Sequence, residues 1–186
     1  MRTPLAVEQW SEIETFPGYS VSDQGRVRND ETDRLLVLLR NNRNIINVGL
    51  FRDGVQHRRS VTVLVARAFL PPPELPYHQV TFDTPINLDG VRANNYVANL
   101  AWRPRWFAMK YHRQFGLHLP FEVMGPILHV GSKQVFNNPL SAAINFGLIA
   151  SDILRSTRTG EEVWPGRHIF RDFDVIDIIP RQVRRI

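Results

Sequence analysis

The sequence predicts an α+β fold made of two compact units, and three observations point that way. Short alternating runs bounded by turn pairs fill the N-terminal third, and a helical run from Leu64 to Phe69 is stopped by Pro71-Pro72-Pro73. After a turn-rich apolar stretch from Gly116 to Gly125, a hairpin pattern gives way to two helical patterns. In chain order, Tyr19-Ser20-Val21-Ser22 lies between the turn signals Pro17-Gly18 and Gln24-Gly25 and reads as a strand, with Arg26-Val27-Arg28 as a second. Val48 to Phe51 and Ser60 to Val63 flank Arg52-Asp53-Gly54 as a β-hairpin, because Asp-Gly suits a tight turn. The helix over Leu64–Phe69 leads into an extended proline-rich connector reaching Pro76, too short a run for a polyproline ligand. Ile86 to Gly90 reads as a strand, followed by an irregular polar loop through Asn94-Asn95 and a helix beginning near Val97. Ile127 to Val130 and Gln134 to Phe136 form a small hairpin around Gly131-Ser132-Lys133. Pro139 to Phe146 is a helix with Ala142, Ala143 and Phe146 inward, closed by Gly147. A second helix starts at Ser151, a good N-cap side chain, and runs to about Arg158.

Composition narrows the function classes. The 186 residues are 43% hydrophobic and 22% charged, ordinary globular usage, so wholesale disorder is excluded. There is no cysteine, which removes disulfide scaffolds, thiolate zinc sites and cysteine nucleophiles together. No apolar run reaches the roughly 18 residues a bilayer span needs, and Met1-Arg2-Thr3-Pro4 leads into polar sequence, so a soluble, intracellular protein with no membrane partner is expected. The net charge is +5 and the pI near 10.2, which favours an anionic partner. Of the 23 basic residues only Lys110 and Lys133 are lysine. Arginine's planar fork suits phosphate and guanine, although GC-rich codon usage accounts for such a bias equally well. The distribution says more: Arg92 to Arg113 holds five basic residues and no acid, whereas Glu122 to Asp177 holds seven acids and five bases.

Several motifs carry a resemblance. Trp10, Ile13, Gly18-Tyr19, Val21-Ser22 and Gly25-Arg26-Val27 resemble the nuclease-associated modular motif found ahead of phage and intron-encoded HNH homing endonucleases. Leu64 to Phe69 resembles the helix that precedes their catalytic strand, and Asp89-Gly90, Asn94-Asn95 and Asn99-Leu100-x-Trp102 match the HNH core in order and spacing. Val135-Phe136, Ala142-Ala143, Gly147, Ser151-x-Ile153 and Gly166 to Phe170 resemble the C-terminal helix-turn-helix module of the same proteins. The resemblance covers roughly residues 8 to 174. It implies a β-rich module and a ββα-metal core within 1–115, a linker over 116–125, a helix-turn-helix DNA-binding module over 126–180 and a basic tail over 181–186.

The family's chemistry can be tested position by position. The resemblance places a general-base histidine two residues before the Asp-Gly pair, with metal ligands just before it and on the following helix. The histidine position is Asn87, whose amide has no basic nitrogen. The first ligand position is Ile86 and the last falls on Ala108; neither coordinates a metal. The resemblance also places an asparagine between them that orients the histidine; that position, Asn99, is the one retained. No catalytic residue, metal ligand or cofactor is therefore expected, with Mg²⁺ required only if the nuclease is still active. His112 lies one helical turn, about 6 Å, beyond Ala108 and, with His78, is the candidate for restoring catalysis.

What remains is binding to double-stranded DNA. Arg26, Arg28, Arg58 and Arg59 lie on strands or turns able to flank a phosphate backbone, the plainer alternative being a solvated sheet face. Arg92, Asn94, Asn95, Arg103, Arg105 and Lys110 surround the position of the reaction centre, and the module at Ser151, Arg155 and Arg158 is placed to meet DNA. Trp10 and Trp102 are expected to pack rather than to bind. The expected place of action is the host cytoplasm. A rival reading makes the chain a structural or accessory component of a phage or ribonucleoprotein assembly, or of a virion, with the Arg-rich tail and Phe115 to Phe121 as contact surface. A third keeps an active metal-dependent endonuclease with an altered site.

Overall fold

The computed structural model describes residues 7–72, 81–116 and 124–173. His78, most of the linker over 116–125 and the basic tail lie outside them. The chain forms two units, Met1–His112 and Arg113–Ile186. Each is a mixture of small antiparallel sheets and helices, so the α+β class holds.

The first unit opens on a four-stranded antiparallel meander, β1 (Trp10–Glu12), β2 (Tyr19–Ser22), β3 (Val27–Asn29) and β4 (Arg34–Leu35), in sequence order. A second sheet joins β5 (Leu39–Arg40), β6 (Ile46–Arg52) and β7 (Val55–Ser60). The β6–β7 turn is Asp53-Gly54, with φ of 53° and 74°, the double left-handed conformation that a two-residue hairpin turn requires. That turn pairs Arg52 with Val55 and corrects the expected hairpin: the return strand is Val55–Ser60, not Ser60 to Val63. With Ser60 already the last strand residue, helix α1 begins at Val61 and spans Val61–Phe69, one turn earlier than its sequence spacing indicates. It ends before Pro71, as expected.

A core of Ile13, Phe16, Val21, Val27, Val48, Leu50, Leu64 and Val65 joins both sheets to α1. Full burial of each such side chain contributes about 1.5–3 kcal/mol. Strand β8 (Thr84–Asn87) then pairs antiparallel with β9 (Leu100–Arg103), and helix α2 (Arg105–Gln114) follows. Here the expectation of a helix near Val97 fails. Val97–Asn99 is a single 3₁₀ turn, and Leu100 to Arg103 is a strand that places Leu100 in the core and registers Trp102 opposite Pro85. Pro104 separates this strand from the helix proper. The turn between β2 and β3 packs against the loop before that 3₁₀ turn. Gly25, at φ 82°, lies so near Asn95 that a Cβ would sit 2.9 Å from the Asn95 Cβ, and Val97 N donates to Asp23 O at 2.8 Å.

In the second unit, β10 (Ile127–His129) lies between β11 (Val135–Phe136) and β12 (Phe170–Asp172). Helix α3 (Pro139–Phe146) has a reciprocal cap: Asn138 Oδ1 accepts from Ser141 N, and Ser141 Oγ accepts from Asn138 N. It closes on Gly147 in the left-handed conformation. Helix α4 (Ala150–Thr159) follows after a short turn. Its expected N-cap is corrected as well. Ser151 is already the second helical residue, and the first free N–H, from Ala150, is taken by the buried Gln114 Oε1 at 2.9 Å.

Candidate nucleic-acid interface

The β8–loop–β9–α2 segment builds the site. Neighbouring residues on a strand face opposite ways. Ile86 is buried away from the surface, while Asn87, 2% exposed, lines a cleft. Asn87 Nδ2 donates to Asn94 O at 2.8 Å, which fixes the amide against the loop. Asn99 closes the same loop from its other end. Its Oδ1 accepts from Asp89 N at 3.0 Å, and its Nδ2 donates to Asp89 Oδ1 and to Asn94 O, both at 2.9 Å. Asp89 spends its remaining capacity locally, on Val91 N at 2.8 Å and Asn94 Nδ2 at 2.7 Å. Tyr111 OH donates to Leu88 O at 2.6 Å, tying α2 to the loop, and burial pushes its phenol pKa up. Asn95 is buried and accepts from Thr62 Oγ1 at 2.7 Å. The asparagines thus act as a hydrogen-bonded frame.

The cleft, about 390 Å³, is lined by Asn41, Asn47, Asn87, Arg92, Arg105 and His112, with Ala108 and other small or apolar groups completing it. A divalent ion does not fit these residues. Ile86 and Ala108 offer no donor atom, no carboxylate of the described residues lines the cleft, and Asp89 is committed to its own loop. Among the described residues no three His, Asp or Glu side chains gather in a metal-holding group. His112 does reach the cleft, as its spacing from Ala108 implied. Its Nδ1 is buried without a hydrogen-bond partner among the described residues, and burial, reinforced by Arg92 and only partly offset by Asp89, holds its pKa down to about 4. An imidazole so weakly basic is poorly matched to general-base work near neutral pH.

The cations sort into two sets. Arg26 is paired with Glu8, and Arg28 with Asp30 and Asp33; both guanidiniums also lie over Trp10, at 5.8 and 4.6 Å from its ring centre. Trp10 is therefore an arginine platform rather than a core residue, whereas Trp102 packs against the core as expected. Arg103 is largely buried over Phe107, and desolvation lowers its pKa to about 10. Arg59 lies over Phe16 and donates to Arg58 O. Arg92, Arg105 and Lys110, by contrast, form no ion pair among the described residues, and Lys110 rests over the exposed Trp106. Three cations without an ion pair among the described residues therefore lie at the cleft and on α2 beside it.

In the second unit, α4 buries Ala150, Ile153 and Ser156, which leaves Ser151, Arg155 and Arg158 exposed at i, i+4 and i+7, one stripe of the helix. Arg155 is drawn to Asp152 and Glu161 at 3.8 and 3.7 Å, while Arg158 has no ion pair among the described residues. Sequence reasoning missed Asn41, Asn47 and Gln114. Asn41, in the β5–β6 turn, and Asn47, on β6, reach the cleft from some 40 residues or more before Asn87, and no local pattern marks them. It also missed the His129–His168 pair, joined at 3.2 Å between Nε2 and Nδ1 and packed among Phe146 and Phe170.

None of the curated proteins matches the chain. Its structure is similar to that of the HNH homing endonuclease I-HmuI, solved in a study of DNA binding and cleavage by that enzyme, at 20% identity and a TM-score of 0.48 over 89% of this chain and 98% of the other. The segment from β1 to β6, residues 8–51, matches the NUMOD4 motif.

Proposed function

We propose that the chain is an HNH homing-endonuclease-like protein that binds duplex DNA and has lost the hydrolytic chemistry of that architecture. The observation that carries this reading is the cleft beside Asn87: among the described residues its cations are unpaired, and neither a matched base nor a donor set for a metal lines it. The NUMOD4 match over residues 8–51 supports it. A positioned general base contributes about 10²–10⁴-fold, and metal activation several kcal/mol more, so losing both removes the route to phosphodiester cleavage. Docking then rests on Arg92, Arg105 and Lys110 in the first unit and on the Ser151, Arg155 and Arg158 stripe in the second. Their phosphate contacts release counterions, so affinity falls steeply with salt. A gel-shift titration of duplex DNA at two salt concentrations is expected to show binding that weakens at the higher one. No binding at low salt rejects the reading.

A second reading, an accessory component of a larger assembly, is favoured by one feature. Val37, Leu39, Phe51 and Val55 are exposed on or beside the β5–β6–β7 sheet, an apolar surface that a DNA contact does not use.

A further inference from the structure

The site that fails to suit a metal suits the opposite charge. We infer that the Asn87 cleft is an anion site, which receives a phosphate group directly on the Arg92 and Arg105 guanidiniums with no divalent cation between them. Only the source of that phosphate, the DNA backbone, rests on the function proposed above.

Three observations lead here. First, among the described residues no Asp or Glu lines the cleft, while two arginines do. Some arginines elsewhere are neutralised: Arg26, Arg28, Arg52, Arg155 and Arg167 each lie against a carboxylate. Arg92 and Arg105 have no such partner among the described residues. Second, the nearby acid is turned away, since both Asp89 oxygens accept from loop N–H groups, from Val91 and Asn99 on Oδ1 and from Asn94 on Oδ2. Third, Asn41 contributes a donor. Its Oδ1 already accepts from Arg43 N and Ile45 N at 2.9 and 3.0 Å, so the amide N–H₂ is what it has left to offer. Guanidinium forks and an amide N–H₂ are what a phosphate's oxygens accept from, and they repel or ignore a cation. In an active centre of this kind a divalent ion neutralises the phosphate; here fixed side-chain charge does so, and the ion is unnecessary.

The test is a titration of the full chain with inorganic phosphate in EDTA, followed by NMR on the His112 ring and the Asn41 side-chain amide. Saturable shifts are expected without Mg²⁺. Arg92→Ala and Arg105→Ala should each weaken phosphate binding about tenfold or more. Arg92→Lys, which keeps the charge and guards against a folding artefact, should retain part of it, and Arg167→Ala in the other unit should match the unmodified chain. Adding duplex DNA should displace the phosphate. The inference is overturned if the shifts are absent, if they need Mg²⁺, or if both alanine variants bind phosphate as tightly as the unmodified chain. Phosphate binding without any duplex binding upholds the anion site and rejects DNA as its source. Duplex binding in the absence of any phosphate response does the reverse, keeping DNA binding and rejecting this site.

Discussion

Asn99 occupies a position that the resemblance assigns to orienting a catalytic histidine, yet here it holds a loop together, and Asn99→Ala measures how much. The substitution removes three hydrogen bonds, to Asp89 N, Asp89 Oδ1 and Asn94 O. A neutral bond of this kind contributes about 1 kcal/mol net and one to a charged group about 1.5–3 kcal/mol. Asn99 is half-buried, so water replaces part of what is lost, and a destabilisation of about 2–3 kcal/mol is expected. With a urea slope of about 1–3 kcal/mol per molar, the unfolding midpoint of the first unit should fall by about 1–2 M, read from Trp102 fluorescence. Asn87→Ala removes one bond and should cost about 1–2 kcal/mol. Asn99→Asp, which sets a second carboxylate against Asp89, should be more damaging at pH 7 than in acid. A loss below about 0.5 kcal/mol for Asn99→Ala would refute the idea that the asparagine frame, rather than chemistry, explains why this residue is present.

Other consequences are open to measurement. Gln114→Ala leaves the Ala150 N–H of α4 without its acceptor and should cost the second unit about 1–2 kcal/mol in thermal or urea unfolding, while Gln114→Glu retains the acceptor and loses less. Arg158→Ala should reduce the salt slope of DNA binding by about one, and Arg155→Ala by less, because Asp152 and Glu161 already draw on its charge; equal slopes count against the α4 stripe. The histidines set a pH dependence. Burial lowers the pKa of His129, whose Nδ1 accepts from Ser132 N, and holds that of His112 down to about 4. A folded-state pKa below the unfolded value of about 6.5 favours the neutral form, so this contribution is complete above that pH. It is lost as the pH falls, for His112 over the window down to about 4. Urea midpoints of both units should therefore drop between pH 7.5 and pH 5, and a rise on acidification contradicts the burial argument.

The fold was legible where local chemistry is decisive. Strand β2 spans the four residues that its flanking turn pairs delimit, and α3 runs from Pro139 to the Gly147 that stops it. Reading failed where tertiary partners override local preference. Leu100 to Arg103 becomes a strand because β8 is there to pair with it and the core is there to take Leu100. Ser151 is not a cap because Gln114, 36 residues before Ala150, supplies the acceptor. In the site, Asn87, Ala108 and His112 were found by motif and helical spacing, since β8 and α2 are near in sequence. Asn41 and Asn47 were not, because only tertiary packing brings the β5–β6 turn and the start of β6 to the cleft. The arginines were countable but not sortable: whether a guanidinium is neutralised, as at Arg26, or left unpaired, as at Arg105, depends on neighbours that composition does not reveal.

The central proposal is that this chain binds duplex DNA without cutting it. Supercoiled plasmid incubated with the full chain in Mg²⁺ or Mn²⁺, with a gel shift run on the same samples, tests this most directly. The account predicts DNA that is bound and remains supercoiled. Nicked or linear product from the unmodified chain, abolished by EDTA, contradicts it.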